Sequence, residues 1–394
     1  MSNNNYSGEP EAIYQINVSD IGPIFIDYLK LTPSVFCPFE EELRTYSKGS
    51  SIISDGALGV VKDDDFINAL KIIAKPDYRL EIIIGGGMVP LNGIRVYASK
   101  KEGMDSVVSV SPGFENSHLL QFFKSPANFA QWFTEVVAGN VEDTVQNFMP
   151  PPLTLGGLLY VLQVIDAFRR VSYQNLLDFK TTNEPYILTD EFQSSMIASM
   201  KSLDLRWLLP SFIALIPGLN EINWELKDEE LNYLGSHDFL IPAKEQGSNR
   251  DIFLFGEAGT VMGSEFFRSW ISSAGYRVTV ANSKGEQMLE QGYMSFTALA
   301  NHFFRIEKGN DGVWYLNHQP LTTEGFLKRL NELLLQTLKY ERISDGALPI
   351  SVAPVKPPVS EIPTTSQISK FCTNCGAKLL SDSSFCTSCG KKIS

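Results

Sequence analysis

Apolar residues at helical spacing alternate with short β-type runs along most of this chain, in an order that repeats. Residues 64–70, Asp64-Asp65-Phe66-Ile67-Asn68-Ala69-Leu70, read as a helix with an acidic first turn. β-type runs follow at 80–84, 94–98 and 106–110. An amphipathic helix over 126–138 comes next, with Phe129, Trp132, Phe133, Val136 and Val137 on one face. Further on, 228–234 reads as a helix and 252–255, 265–271 and 276–281 as strands. A closing helix over 296–306 carries Phe296, Leu299, Phe303 and Phe304 at matching spacing. Helix, three strands, helix thus occurs twice, about 165 residues apart. The pattern predicts an α+β body of pseudo-duplicated antiparallel sheet halves.

A helical insert separates the halves. Residues 153–171 place Leu155, Leu158, Leu159, Leu162, Ile165 and Phe168 on one buried face. Thr189-Asp190-Glu191 offers a threonine cap and acids for a helix ending near Met200, and 203–216 continues as helix, with Pro210 breaking or restarting it. A leucine stripe, Leu327, Leu330, Leu334 and Leu338, ends the body in a helix over 322–340. Beyond it, Pro349, Pro354, Pro357, Pro358 and Pro363 lie among Ser, Thr, Val and Ala without periodicity, which makes a flexible, semi-extended linker. The expected divisions are 1–150 for the first half, 151–225 for the insert, 226–344 for the second half, 345–369 for the linker and 370–394 for a terminal module.

That terminal module carries the one motif that names its own chemistry. Phe371-Cys372-Thr373-Asn374-Cys375-Gly376 recurs as Phe385-Cys386-Thr387-Ser388-Cys389-Gly390. Two Cys-x-x-Cys knuckles at this separation supply Cys372, Cys375, Cys386 and Cys389 to one tetrahedral ion. Zinc suits four thiolates, being soft enough for sulfur and redox-inert. The glycine behind each second cysteine can take the positive φ of a tight knuckle. The segment resembles the small zinc ribbons appended to many bacterial and archaeal proteins, which implies structural Zn2+ and no particular function. Lys370, Lys378, Lys391 and Lys392 are offset by Asp382 and by the charge of a zinc tetrathiolate. With no arginine to read bases, a protein-docking ribbon is favoured over a nucleic-acid one.

Composition narrows the rest. The chain has 394 residues, 43% apolar and 20% charged, which describes an ordinary globular protein of two or three domains. Its net charge of −12 argues against broad nucleic-acid binding. Four of five cysteines sit in the ribbon, a usage that fits a reducing compartment. No secretory signal or membrane span is read, so the expected address is the cytoplasm.

Catalysis leaves little trace. His118, His237, His302 and His318 stand in no metal-ligand spacing. His302 falls on the expected closing helix as a packed or surface residue, and His237-Asp238 reads as a helix cap. Gly85-Gly86-Gly87 follows a strand but precedes another one and lacks Gly-Lys-Ser/Thr, so it reads as a hairpin. Asp63-Asp64-Asp65 and Asp228-Glu229-Glu230 read as solvated first turns of helices, and Cys37 as a buried structural thiol.

The helix–strand–strand–helix halves also resemble EspG-type chaperones of type VII secretion, through Ala69-Leu70 to Pro76, the strand at 80–84 and the aromatic helix after His118-Leu119-Leu120. That resemblance implies a pseudo-twofold core holding a helical hairpin of cargo. The expected function is a non-enzymatic, protein-binding adaptor or chaperone-like protein whose ribbon docks a partner. An enzyme recruited by its ribbon, or a nucleic-acid-associated regulator, is the alternative.

Overall fold

The computed structural model describes residues 8–339, apart from 50–52, 87–90, 100–105, 144, 148, 150–152, 182–183, 217–218, 220–227, 269–271 and 283–284. Contacts group residues 1–349 in one unit and 350–394 in another, and the expected linker and ribbon lie outside the described residues.

Strand β1 (Ala12–Asn17) leads through α1 (Val18–Gly22) and a π-helical segment (Pro23–Tyr28) to α2 (Glu40–Thr45), α3 (Asp55–Val60) and α4 (Asp64–Ala74). A meander follows, β2 (Tyr78–Gly86), β3 (Asn92–Ala98), β4 (Val107–Pro112) and β5 (Ser117–Phe123), closed by α5 (Pro126–Val137). The middle of the chain holds β6 (Leu153–Thr154), α6 (Leu155–Leu177), β7 (Tyr186–Leu188), α7 (Thr189–Met200) and α8 (Leu208–Leu215). It continues with α9 (Asp228–Ser236), β8 (Leu240–Lys244), β9 (Asp251–Phe255) and α10 (Glu257–Arg268). A second meander, β10 (Ser272–Asn282), β11 (Gly285–Phe296), β12 (Asn301–Lys308) and β13 (Trp314–Leu321), is closed by α11 (Thr323–Lys339).

Both meanders belong to one ten-stranded antiparallel sheet, ordered β1-β5-β4-β3-β2-β10-β11-β12-β13-β6. The first strands of the meanders meet at its centre, with Tyr78 opposite Val280, Ile82 opposite Tyr276 and Gly86 opposite Ser272. Each meander then steps outward from that seam. A second sheet, β7-β9-β8, is built entirely within the middle segment. The fold is α+β, with helix–four strands–helix occurring twice.

Strand alternation assigns the two faces of the large sheet. Tyr78, Leu80, Ile82, Ile94, Tyr276, Val278 and Phe303 point to one side, where α5 and α11 cover them with Phe129, Phe133, Phe326 and Leu330. On the opposite side, Tyr97, Val108, Leu120 and Phe122 pack under α4 and the N-terminal helices through Ile24, Phe25, Leu70 and Ile73. Tyr293, Phe304, Ile306 and Leu316 on that same side pack beneath α6 and α8. Each such large side chain removed from water contributes roughly 1.5–3 kcal/mol. Between these two helical groups the sheet floor is polar. Arg277 bridges to Glu81 at 2.9 Å and Arg79 to Glu286 at 3.1 Å.

Helix α6 starts where Thr154 accepts the Gly157 N–H at 3.0 Å, the usual N-cap bond. From Gly157 to Arg169 every residue is buried, polar Gln163, Asp166 and Arg169 included. A helix apolar all round belongs in the middle of a domain. Val164, Phe168 and Tyr173 of α6 meet Gly259, Gly263 and Phe267 of the α10 region in rising order, so the two helices run parallel. A Cβ on Gly263 would stand 2.4 Å from the Phe168 ring, which explains the small residue. Asp166 accepts the Leu208 and Leu209 N–H groups, both at 2.9 Å, and so caps α8 from α6. Arg169 binds Asp166 at 3.0 Å and lies over the Trp207 ring at 4.9 Å.

Several sequence expectations need correction. Residues 265–271 are not a strand, because 265–268 close α10; nor are 296–306 a helix, because Asn301–Lys308 is β12. The strand at 252–255 exists but lies in the small sheet. Periodicity missed β5 as a strand in the first meander and β11, β12 and β13 in the second, and the repeat runs from Tyr78 to Ser272 rather than over 165 residues. Thr189 is not a cap; Leu188 holds that position without a side-chain bond. Residues 203–207 are not helical; the helix starts at Leu208, with Pro210 in the first turn of α8, where its missing N–H costs nothing. Of the acidic first turn of α9, Glu229 is exposed but Glu230 is half-buried, beside Thr154 at 3.4 Å.

Candidate functional site

The two histidines that stand sixteen residues apart in sequence meet in space. Strands β12 and β13 pair with His302 opposite Pro320 and Phe304 opposite His318, so both imidazoles face the α6–α10 side of the sheet. Their rings stack at 5.2 Å, and His302 Nδ1 lies 3.0 Å from His318 Nε2. From α10, Glu265 Oε1 approaches His302 Nε2 at 2.9 Å. The Thr297 hydroxyl, in the β11–β12 turn, bonds the same carboxylate oxygen. At the other end His318 Nδ1 meets Asn147 Oδ1 at 3.1 Å, in the segment that precedes α6. His302 is 1% exposed, His318 6% and Glu265 9%.

Burial raises the Glu265 carboxyl, but the hydrogen bond and charge of His302, with the Thr297 hydroxyl, outweigh it and hold the group below the usual glutamate value. His318 is also held low, which for a cationic acid favours the neutral form. Its burial, and then the neighbouring His302, push it well below the ordinary histidine value, so it is neutral. A carboxylate–imidazole pair is the usual material of acid–base catalysis. Here the pair is buried, and the chain it belongs to ends on the amide of the exposed Asn147. Among the described residues no group of three His, Cys, Asp or Glu side chains could hold a metal ion.

The far end of α6 is the second feature. Tyr173, Leu176 and Leu177 are 39%, 66% and 72% exposed on the last turns, and Phe179, just beyond, is 96% exposed. The Lys180 N–H bonds the Asn175 carbonyl at 2.8 Å and the Phe179 N–H the Leu176 carbonyl at 3.3 Å, which closes the helix in a Schellman-type turn. That turn needs one residue at positive φ. Glycine normally fills the position, and here Phe179 does, at φ 54°. The Tyr173 ring packs against that of Phe267, tilted by 54° with centroids 4.7 Å apart.

Other residues singled out from sequence have structural places. Cys37 is buried, and desolvation pushes its thiol up to about 12, which keeps it unreactive. Gly85 and Gly86 end β2 in a hairpin with β3. Asp63 caps α4 by accepting the Asp65 and Phe66 N–H groups at 2.9 and 3.3 Å. His118 stands 4.9 Å from the Phe39 ring and 3.6 Å from Glu42. His237 stacks on Tyr233, while Asp238, at φ 57°, accepts the Glu257 N–H at 2.8 Å and opens α10.

The strongest expected site, Cys372, Cys375, Cys386 and Cys389, falls outside the described residues. Four thiolates from two Cys-x-x-Cys knuckles are the donor set of a closed structural zinc site. Residues 371–393 match the zinc-ribbon domain family, which implies zinc binding by this segment. A search of curated proteins finds no match. Nothing in these comparisons bears on the likeness to EspG-type chaperones. Among the described residues no helix is long and apolar enough to cross a membrane.

Proposed function

We propose that the protein is a non-enzymatic adaptor, chaperone-like in that its folded body holds a protein partner through the apolar end of α6 while its zinc ribbon docks a second one. Phe179 carries this reading. A large aromatic, almost wholly in water, occupies a left-handed backbone position that most side chains avoid. Both features are unfavourable in the free protein, and Leu176 and Leu177 extend the same apolar surface. A contiguous patch of this kind on a rigid helix end suits a partner with an apolar groove or helix face. Reducing-compartment cysteine usage fits a cytoplasmic protein.

The test is capture of the tagged protein from its host under nuclease treatment, in three forms: full chain, a chain ending at Asp345, and Leu176→Asp/Leu177→Asp/Phe179→Ser. A protein recovered at about one-to-one by the first two forms and lost from the third supports a body-held partner. Identical recovery by all three, or material that nuclease removes, sinks it.

A further inference from the structure

We propose that Asn147, His318, His302 and Glu265 form a one-way hydrogen-bond chain complete at a single proton count, a latch that ties α10 and the segment before α6 to strands β12 and β13 and releases when that count changes.

The direction of the chain follows from its ends. Asn147 Oδ1 accepts the Met149 N–H at 3.0 Å, which fixes the amide oxygen, not the nitrogen, toward His318. His318 Nδ1 must therefore donate. As a neutral imidazole, His318 then presents Nε2 as an acceptor, so His302 Nδ1 must donate to it across 3.0 Å. At the far end, Glu265 Oε1 faces His302 Nε2 and also takes the Thr297 hydroxyl. Thr297 Oγ1 in turn accepts the Leu299 and Ala300 N–H groups at 3.2 and 3.0 Å, which leaves its proton to give. Glu265 is held below the usual glutamate value and is ionised, and an ionised carboxylate can only accept, so His302 Nε2 also carries hydrogen. The complete state is an imidazolium at His302, a carboxylate at Glu265 and the Nδ1–H tautomer at His318.

One proton more or less breaks the chain. A proton added at His318 Nε2 sets two donors and two cations against each other over 3.0 Å. A proton removed from His302 leaves either two acceptors facing His318 or a lone pair facing the Glu265 carboxylate. Burial makes each mismatch costly, because water cannot repair it. The titratable groups set against His302 are Glu265 from α10 and His318 from β13. Phe266 from α10 and Phe304 of its own strand contribute only rings, at 5.0 and 6.2 Å. Thr297 and Asn147 add uncharged polar atoms from the turn and from the segment before α6. Asn147 is itself exposed, so the chain reaches from solvent to a buried carboxylate.

The test is long-range 1H–15N NMR of histidine-labelled full-length protein, read beside amide exchange at Met149. At pH 7, both His302 nitrogens should show protonated shifts, and His318 should show the Nδ1–H pattern. An Nε2–H tautomer at His318, or a neutral His302, overturns the proposal. Glu265→Gln should leave His302 neutral and speed Met149 exchange at least tenfold. Because that buried change can unfold the region, the exposed Asn147 supplies the second pair. Asn147→Asp keeps an acceptor and should leave His318 unchanged. Asn147→Leu removes it and should switch His318 to the Nε2–H form. Equal His318 spectra in those two variants also overturn it.

Discussion

Replacing Phe179 with glycine should make the free protein more stable while removing an aromatic ring that stands almost wholly in water. Its φ of 54° is a left-handed conformation, which costs a residue with a Cβ roughly 1–2 kcal/mol. Glycine escapes that cost but gains freedom in the unfolded chain, which takes back about 0.5–1 kcal/mol. At 96% exposure the ring contributes almost no packing to lose. The balance is a gain of about 0.5–1 kcal/mol, or about 2 °C in Tm for a body of this size. Urea unfolding with an unchanged slope measures it, since a shift in midpoint alone then reports stability. Phe179→Asn, which tolerates the same backbone, should keep part of the gain. A loss of stability in both variants would mean that the ring packs in solution or that the turn is not left-handed, and the argument for a partner-facing Phe179 would go with it. A gain accompanied by weaker partner capture is the result expected of a residue kept for binding.

Gly263→Ala should cost about 1–3 kcal/mol, because its Cβ would stand 2.4 Å from the Phe168 ring; a midpoint within error of the parent would refute the close approach of α6 and α10. Cys375→Ser should reduce bound zinc from about one ion per chain to near zero by metal analysis while leaving the melting of the body in place. Acid should weaken the body in two stages. His318 titrates lower when folded than unfolded, so its contribution is complete above the unfolded value near 6.5 and is lost as pH falls below it, at up to about 1.4 kcal/mol per pH unit. Glu265 is also held low in the folded state, so its contribution is present above the unfolded value near 4.3 and disappears as pH falls through the lower folded one. Urea midpoints from pH 7 to 4 should therefore decline first below pH 6.5, and His318→Gln should flatten that first limb.

In the first half α4, β2, β3, β4 and α5 were legible because the strands are short apolar runs between turn residues and the helices carry an aspartate or serine cap, whereas β1, the N-terminal helices and β5 were not read. The second half was harder for a physical reason. Strand β12 is covered on both faces, with Phe303 under α11 and Phe304 under α6, so Phe303, Phe304 and Ile306 form a short apolar run without the strict alternation of a half-buried strand. In such a run periodicity cannot separate helix from strand. The overlooked signal was the turn Gly309-Asn310-Asp311-Gly312, with Gly312 at φ 82°, which marks a hairpin and would have aligned His302 with His318. Helix α10 was obscured by Gly259 and Gly263. Both lower helical propensity, yet they are needed where Phe239 and Phe168 press against the helix.

Zinc ligation could be read from spacing because a metal demands a fixed donor set at short range. The buried histidine chain and Phe179 could not, since each depends on partners brought together by the fold or on a backbone angle. These are also the places where the chain departs from what folding alone favours. A core of apolar residues would serve as well as Glu265, His302 and His318, and glycine would serve better than Phe179. Departures of this kind mark residues held for something other than stability. Here they fall towards the C-terminal ends of two parallel helices, with Phe179 beyond the exposed end of α6 and Glu265 on α10, two residues before the Phe267 that packs on Tyr173. A partner held at Phe179 and a change of proton count in the Glu265–His302 pair would therefore act on neighbouring helices. Met149 amide exchange in Phe179→Gly protein should show whether the two are coupled, and exchange identical to that of the parent would make them independent.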